Sequence, residues 1–201
     1  MLLSSLEVIR LRASPKTTIL VIRLSTDDGR TGLGEGSAAG SDVAVAAAAS
    51  ELFQAALAGR RVESIARLLE ELRVHTGPTP GIARATAASA LEQGLWDLRG
   101  QQVDLPVWAL LGGMRRERVP LYANINRGLS DRSPEAFADR ARQAAAAGFG
   151  AVKCAPFDGV RPEAIHETGT RRAIDLGIER VDAVRRAIGG DLQLMVDCHG
   201  R

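Results

Sequence analysis

From Val119 onward the chain alternates two kinds of segment, and this alternation restricts its fold more than any other feature. "VPLYANI", "FGAVKCA" and "LQLMVDCH" are short, apolar and strand-like, and two helical stretches separate them. The first, "SPEAFADRARQAAAAG", opens at Ser133 as N-cap; the second runs through "RRAIDLGIERVDAVRRAIGG". Strand, helix, strand, helix, strand at this spacing predicts βαβ units, whose right-handed crossovers build a parallel sheet under a helical layer. A complete (β/α) barrel takes roughly 250 residues and only about 85 follow the change of rhythm, so the barrel is expected to be cut off after three strands.

The preceding residues obey different rules. "LEVIRLRA" and "TTILVIRLST" are rich in β-branched residues and flank the turn-like "SPK"; "DDG" then leads into "RTGLGEGS", giving an antiparallel three-stranded meander. Helical periodicity takes over in "SDVAVAAAASELFQAALAG", capped at Ser41 or Asp42 and ended by Gly59. "VESIARLLEELR" aligns Ile65, Leu68, Leu69 and Leu72, and after "GPTPG" a further helix aligns Ala87, Leu91, Leu95 and Leu98. The expectation is an α+β domain over residues 1–115, then a partial barrel domain over 116–201.

Composition removes several function classes. With 26 basic and 24 acidic residues the net charge is +2, and aromatics make up 3%, which argues against a nucleic-acid or anionic-membrane partner. No apolar run reaches the ~20 residues that span a bilayer. "MLLSSLEVIRLR" meets Glu7 and Arg10 too early for a secretory signal, so the cytoplasm is expected. Two cysteines without a CxxC pair suggest neither a disulfide framework nor a zinc site. Among the basic residues only Lys16 and Lys153 are lysines. A lysine kept in a strand of an arginine-writing chain is either a compact point charge with an adjustable pKa or a side chain that snorkels by chance.

Strand parity then sorts chemistry from packing. Residues two apart on a strand share a face, so Asp197 pairs with His199, Lys153 with Ala155 and Tyr122 with Asn124. All lie at C-terminal strand ends, where parallel α/β folds build their sites. Cys154 and Cys198 have the opposite parity and are expected to be buried against the helices. Asp197 suits a hard cation such as Mg²⁺, and His199 could move a proton beside it. A strand-end carboxylate with a surface histidine is the competing reading.

Taken together, "SALEQGLWDLRGQQVDLPVWALLGG", "VPLYANI", "GFGAVKCAPFD" and "GIERVDAVRRAIGGDLQLMVDCHGR" resemble the enolase superfamily, mandelate racemase subgroup, along nearly the whole chain. The resemblance implies an N-terminal α+β capping domain and a modified (β/α)₇β barrel. It also implies Mg²⁺ bound by acidic residues of three successive strands, and abstraction of a proton α to a carboxylate to give a metal-stabilised enediolate. On this likeness Asp197 matches the first metal ligand, and Lys153 the first lysine of a Lys-x-Lys motif that contacts the substrate carboxylate or assists the base. The second lysine is Ala155 here, which counts against a two-base racemase and against a cycloisomerase. "DCHGR" is similar to the motif of acid-sugar dehydratases such as galactonate dehydratase, in which the histidine, here His199, is the general acid. Asn124 is a candidate substrate contact; Arg201 either pairs with a substrate carboxylate or hydroxyl or is a solvated loop residue.

The function expected from this likeness is a Mg²⁺-dependent lyase that removes water from a sugar acid to give a 2-keto-3-deoxy product, oligomeric as a full-length protein. A racemase or epimerase, and a catalytically silent truncated chain, are the alternatives. Other signals are set aside. "GLGEGSAAG" lacks dinucleotide-loop spacing, although by the same resemblance Gly36 to Asp42 is the place of a substrate-selecting loop. "IHETG" has no second histidine for zinc. The charges of "RRAIDLGIERVDAVRR" suggest a solvated face, and His75 a surface loop.

Overall fold

The computed structural model describes residues 1–14 and 17–201, which group into two compact units, Met1–Arg115 and Arg116–Arg201. The turn expected at "SPK" lies outside the described residues at Pro15 and Lys16.

In the first unit β1 (Leu3–Ser14), β2 (Thr17–Thr26) and β3 (Thr31–Glu35) form an antiparallel sheet in sequence order, as the meander reading requires. The alternation in β2 explains its position. Leu20, Ile22 and Leu24 are fully buried on one face, each worth roughly 1.5–3 kcal/mol of transfer free energy. Covering them are α1 (Asp42–Leu52), which continues as a π-turn over Phe53–Leu57, then α2 (Ile65–Thr76) and α3 (Gly81–Val103). Ser64 caps α2 by accepting from the Arg67 N–H, and Ile65, Leu68 and Leu72 form its buried row. His75 is exposed in the last turn of α2, so it stands on a helix and not in a loop; Arg84 donates to its carbonyl.

"RTGLGEGS" also has a structural explanation. A Cβ on Gly34 would stand 1.9 Å from the Ala90 carbonyl oxygen, and one on Gly32 2.3 Å from that of Gly94. These glycines let the backbone of β3 lie against α3. At that short range α3 also satisfies the strand's outer edge. Asp97 accepts from the Leu33 N–H at 2.9 Å, Gln93 accepts from the Glu35 N–H at 3.0 Å, and Gln101 donates to the Thr31 carbonyl at 2.7 Å. Residues 93, 97 and 101 are one helical row, so a polar stripe substitutes for a fourth strand. After α3 and a short α4 (Val107–Leu110) the unit ends.

The second unit is a parallel sheet of β4 (Ala123–Asn124), β5 (Ala151–Cys154) and β6 (Gln193–Val196), in that order. Its crossovers are α5 (Pro134–Ala146) and α6 (Thr168–Ile188), and the Ser133 hydroxyl caps α5 through the Ala136 N–H. Val152 and Cys154 point into a core with Phe137, Ala141, Val184 and Ile188. Strand β4 is much shorter than "VPLYANI" suggested, with Val119 and Leu121 each 70% exposed. Its pairing is limited to Ala123 with Val152 and Asn124 with Lys153; Pro120 has no N–H to donate, and among the described residues β5 is its one neighbour. A second correction concerns α6. Its outer residues are charged and exposed, but Arg180 is only 6% exposed and sits on the buried row with Gly177 and Val184.

Candidate active site

The parallel register assembles the C-terminal edge of this sheet. Asn124 lies opposite Lys153 and Lys153 opposite Met195, so Asp197, two residues past Met195, comes forward on Lys153's face of the sheet. The Asp197 N–H donates to the Cys154 carbonyl at 2.9 Å, extending the ladder one step beyond the strand. The Lys153 ammonium then reaches Asp197 Oδ2 at 2.8 Å. It also stands 5.9 Å from the centroid of the Tyr122 ring.

His199 completes the cluster by a local turn. Its backbone N–H donates to Asp197 Oδ1 at 2.9 Å, its φ is +49°, and its Nε2 lies 3.3 Å from Asp197 Oδ2. The left-handed conformation is one that histidine visits more readily than most residues, and the Asp197 side chain stabilises it by closing the turn. Two cationic or proton-bearing side chains thus converge on one carboxylate. The hydrogen bond from Lys153, then that from the His199 N–H, holds Asp197 below its ordinary pKa of 3.8. In turn the bond to Asp197 raises Lys153 above its ordinary 10.5, against the opposing effect of burial.

The remaining candidates stand apart from this cluster. Asn124 is exposed at the end of β4 as the register partner of Lys153. Arg201 Nη1 donates to the Phe157 carbonyl at 2.9 Å, so its side chain is engaged with backbone. Ala155 is buried at the position of the absent second lysine, and its N–H donates to Asn126 Oδ1 at 2.9 Å. Cys154 is buried and its thiol is pushed up to about 11 by desolvation, but Cys198 is exposed. The parity argument fails for Cys198 because β6 ends at Val196 and the chain turns at His199. Sequence reasoning also missed Arg132, Arg180 and Asp158. Only the i, i+3, i+7 spacing of Gly177, Arg180 and Val184 could have pointed to a buried arginine.

Asp197 offers a half-exposed, hard oxygen donor of the kind Mg²⁺ prefers. Among the described residues no group of three or more His, Cys, Asp or Glu side chains is placed to hold an ion. Asp197 is thus a single carboxylate donor of the kind such a site uses, with Lys153 and His199 on its oxygens.

Comparison with known proteins agrees with this architecture. Residues 8–112 match the family model described as mandelate racemase / muconate lactonizing enzyme, N-terminal domain, and residues 136–201 match that described as enolase C-terminal domain-like. The chain belongs to the mandelate racemase / muconate lactonizing enzyme family of the enolase superfamily, and consists of its capping domain and part of its barrel. A D-gluconate dehydratase from Thermoproteus tenax is 35% identical over 182 residues, covering 90% of this chain and 35% of the relative. A D-galactonate dehydratase from Klebsiella pneumoniae is 28% identical, covering 90% of this chain and 45% of the relative. The chain thus spans less than half the length of either relative. The solved mandelate racemase/muconate lactonizing enzyme structure from Jannaschia sp. CCS1 superposes with a TM-score of 0.79 at 28% identity, over all of this chain and 55% of that one. Among the described residues no helix is long and apolar enough to cross a membrane.

Proposed function

We propose that this chain supplies the capping domain and first barrel strands of an acid-sugar dehydratase, a hydro-lyase that converts a sugar acid to a 2-keto-3-deoxy acid. The observation that carries the reading is the convergence of Lys153 and His199 on the Asp197 carboxylate at the C-terminal edge of the sheet. The dehydratase names of relatives at about 30% identity support the substrate class.

Dehydration of a sugar acid removes the proton α to the carboxylate and the hydroxyl one carbon further on. Asp197 would give one oxygen ligand to Mg²⁺, which when bound stabilises the charge that builds on the substrate carboxylate. Lys153 carries a positive charge beside that position and orients the carboxylate as a point charge. His199, held by its turn and 56% exposed, gives its proton to the departing hydroxide in this reading, and the hydroxide leaves as water. Asn124 binds a substrate hydroxyl next to Lys153, and Arg201 borders the same edge. The Gly36–Asp42 segment is the substrate-selecting loop. The whole protein is a cytoplasmic homo-oligomer acting on small molecules, with no nucleic-acid or membrane partner.

Ala155 argues against a racemase or epimerase, since a buried methyl group with its N–H already bonded provides no base on this strand. The test is a panel of sugar acids incubated with the full-length protein and Mg²⁺, with 2-keto acid measured colorimetrically. Product from a sugar acid, lost in Asp197→Asn, is expected; epimerised substrate without 2-keto acid overturns the proposal.

A further inference from the structure

The backbone after β5 is held more tightly than loop backbone usually is. Carbonyls 153 to 157 are engaged one after another. Those of Lys153 and Cys154 accept from the N–H groups of Ile125 and Asp197, both at 2.9 Å. The next three accept from arginine side chains: Ala155 from Arg132 Nη2 at 3.1 Å, Pro156 from Arg180 Nη1 at 2.5 Å and Phe157 from Arg201 Nη1 at 2.9 Å. The three arginines come from three places, the segment after β4, helix α6 and the segment after β6.

Arg180 and Arg132 are also linked, through the Arg132 backbone and Asp158. Arg180 Nε donates to the Arg132 carbonyl at 2.6 Å, Arg132 Nη1 to the Asn126 carbonyl at 3.2 Å, and Arg132 Nε to Asp158 Oδ2 at 2.6 Å. Arg132 and Arg180 stand 4.6 and 5.3 Å from the centroid of the fully buried Phe137 ring. Burying a guanidinium is costly unless its donors are satisfied, and only arginine has a rigid fork of donors that can hold two carbonyls while lying on an aromatic face. Loop carbonyls are ordinarily left to water, so this expense at one strand end has a purpose. The first clamped carbonyl is two residues from Lys153.

We propose that Arg132, Arg180 and Arg201 are positioning residues that act through the Ala155–Phe157 backbone to keep the Lys153 ammonium on the Asp197 carboxylate. The inference rests on reading that pair as part of the reacting edge, but it can be tested without turnover. The chain has two lysines, Lys16 and Lys153, so this 201-residue chain labelled with [ε-¹³C]lysine gives two resonances, which Lys16→Arg assigns. Spectra are taken at one neutral pH in metal-free buffer. Asp197→Asn marks the resonance of an unpaired Lys153. In Arg180→Met and Arg132→Gln the Lys153 signal should move most of the way to that mark, with Lys16 unmoved, and in Arg180→Lys it should fall between. Where Arg180→Met does not fold, Arg132→Gln decides, since that side chain is already 26% exposed. Folded variants with a lowered melting midpoint but a wild-type Lys153 signal overturn the proposal, because a purely structural clamp gives that result. Absence of dehydratase activity leaves this readout untouched and bears on the functional reading alone.

Discussion

Lys153 on β5 and Asp197, the first residue past the adjacent parallel strand β6, bring their side chains together at 2.8 Å where the hydrogen-bond ladder ends. Each shifts the other's titration away from its ordinary range, Asp197 downward and Lys153 upward. A carboxylate depressed by folding contributes stability above its unfolded pKa and loses it as pH falls through the folded value. An ammonium raised by folding contributes below its unfolded pKa and loses it as pH rises through the folded value. The pair is therefore at full strength between the ordinary values of 3.8 and 10.5. The melting-temperature gap between wild type and Lys153→Met should be flat across neutral pH and narrow at both extremes. A gap that does not change with pH would show that the pair contributes nothing through charge.

In the full-length protein His199→Asn should retain Mg²⁺ binding and lose dehydration by roughly 10²–10⁴-fold, the usual worth of a general acid. Exchange of the substrate's α-proton with deuterium from solvent should survive, because another group abstracts it. Loss of exchange and dehydration together, with the metal still bound, would show that His199 is not the general acid.

Gly34→Ala should destabilise the first unit by about 1–3 kcal/mol or more, because the new methyl group meets the Ala90 carbonyl oxygen at 1.9 Å and backbone cannot yield cheaply. Gly150→Ala, with nothing within 4 Å of its added Cβ, should stay within about 0.5 kcal/mol. Urea midpoints of the two variants measure the contrast; equal midpoints would mean that β3 does not lie so close to α3.

Thiol titration of this 201-residue chain with a chromogenic disulfide should count one cysteine in the native state and two in denaturant. Cys198 is exposed and reacts; Cys154 is buried and pushed up to about 11, so it carries almost no thiolate at neutral pH. Native reaction of both would place Cys154 outside the core.

The helical rows were legible because burial imposes them: Ile65, Leu68 and Leu72 announce a helix face whatever the partners are. Strand β2 was legible through its β-branched composition, and the buried row of Leu20, Ile22 and Leu24 emerged from the structure. Lys153 and Asp197 could be set on one face by parity because both stand on or next to a regular strand. Parity stopped being a guide where the strand stopped, which is why Cys198 turned out exposed. Arg180 was illegible for another reason. Its partners are the carbonyls of Arg132 and Pro156 and the ring of Phe137, all distant in sequence, and carbonyls leave no mark in a residue string. Asn126 and Asp158 were hidden because their partners, the Ala155 N–H and the Arg132 guanidinium, are likewise distant in sequence.

The row of Gln93, Asp97 and Gln101 has a consequence for anyone altering this protein's surface. By side-chain type these are ordinary solvent-facing residues, the kind exchanged freely to adjust charge or solubility. Here they close a strand that would otherwise offer its N–H and carbonyl groups to any passing chain. Replacing them with lysine or alanine would touch no apolar core residue, yet it would open the β3 edge to a neighbour's backbone. The damage would be seen less as a lower melting point than as a concentration above which the protein no longer stays in solution.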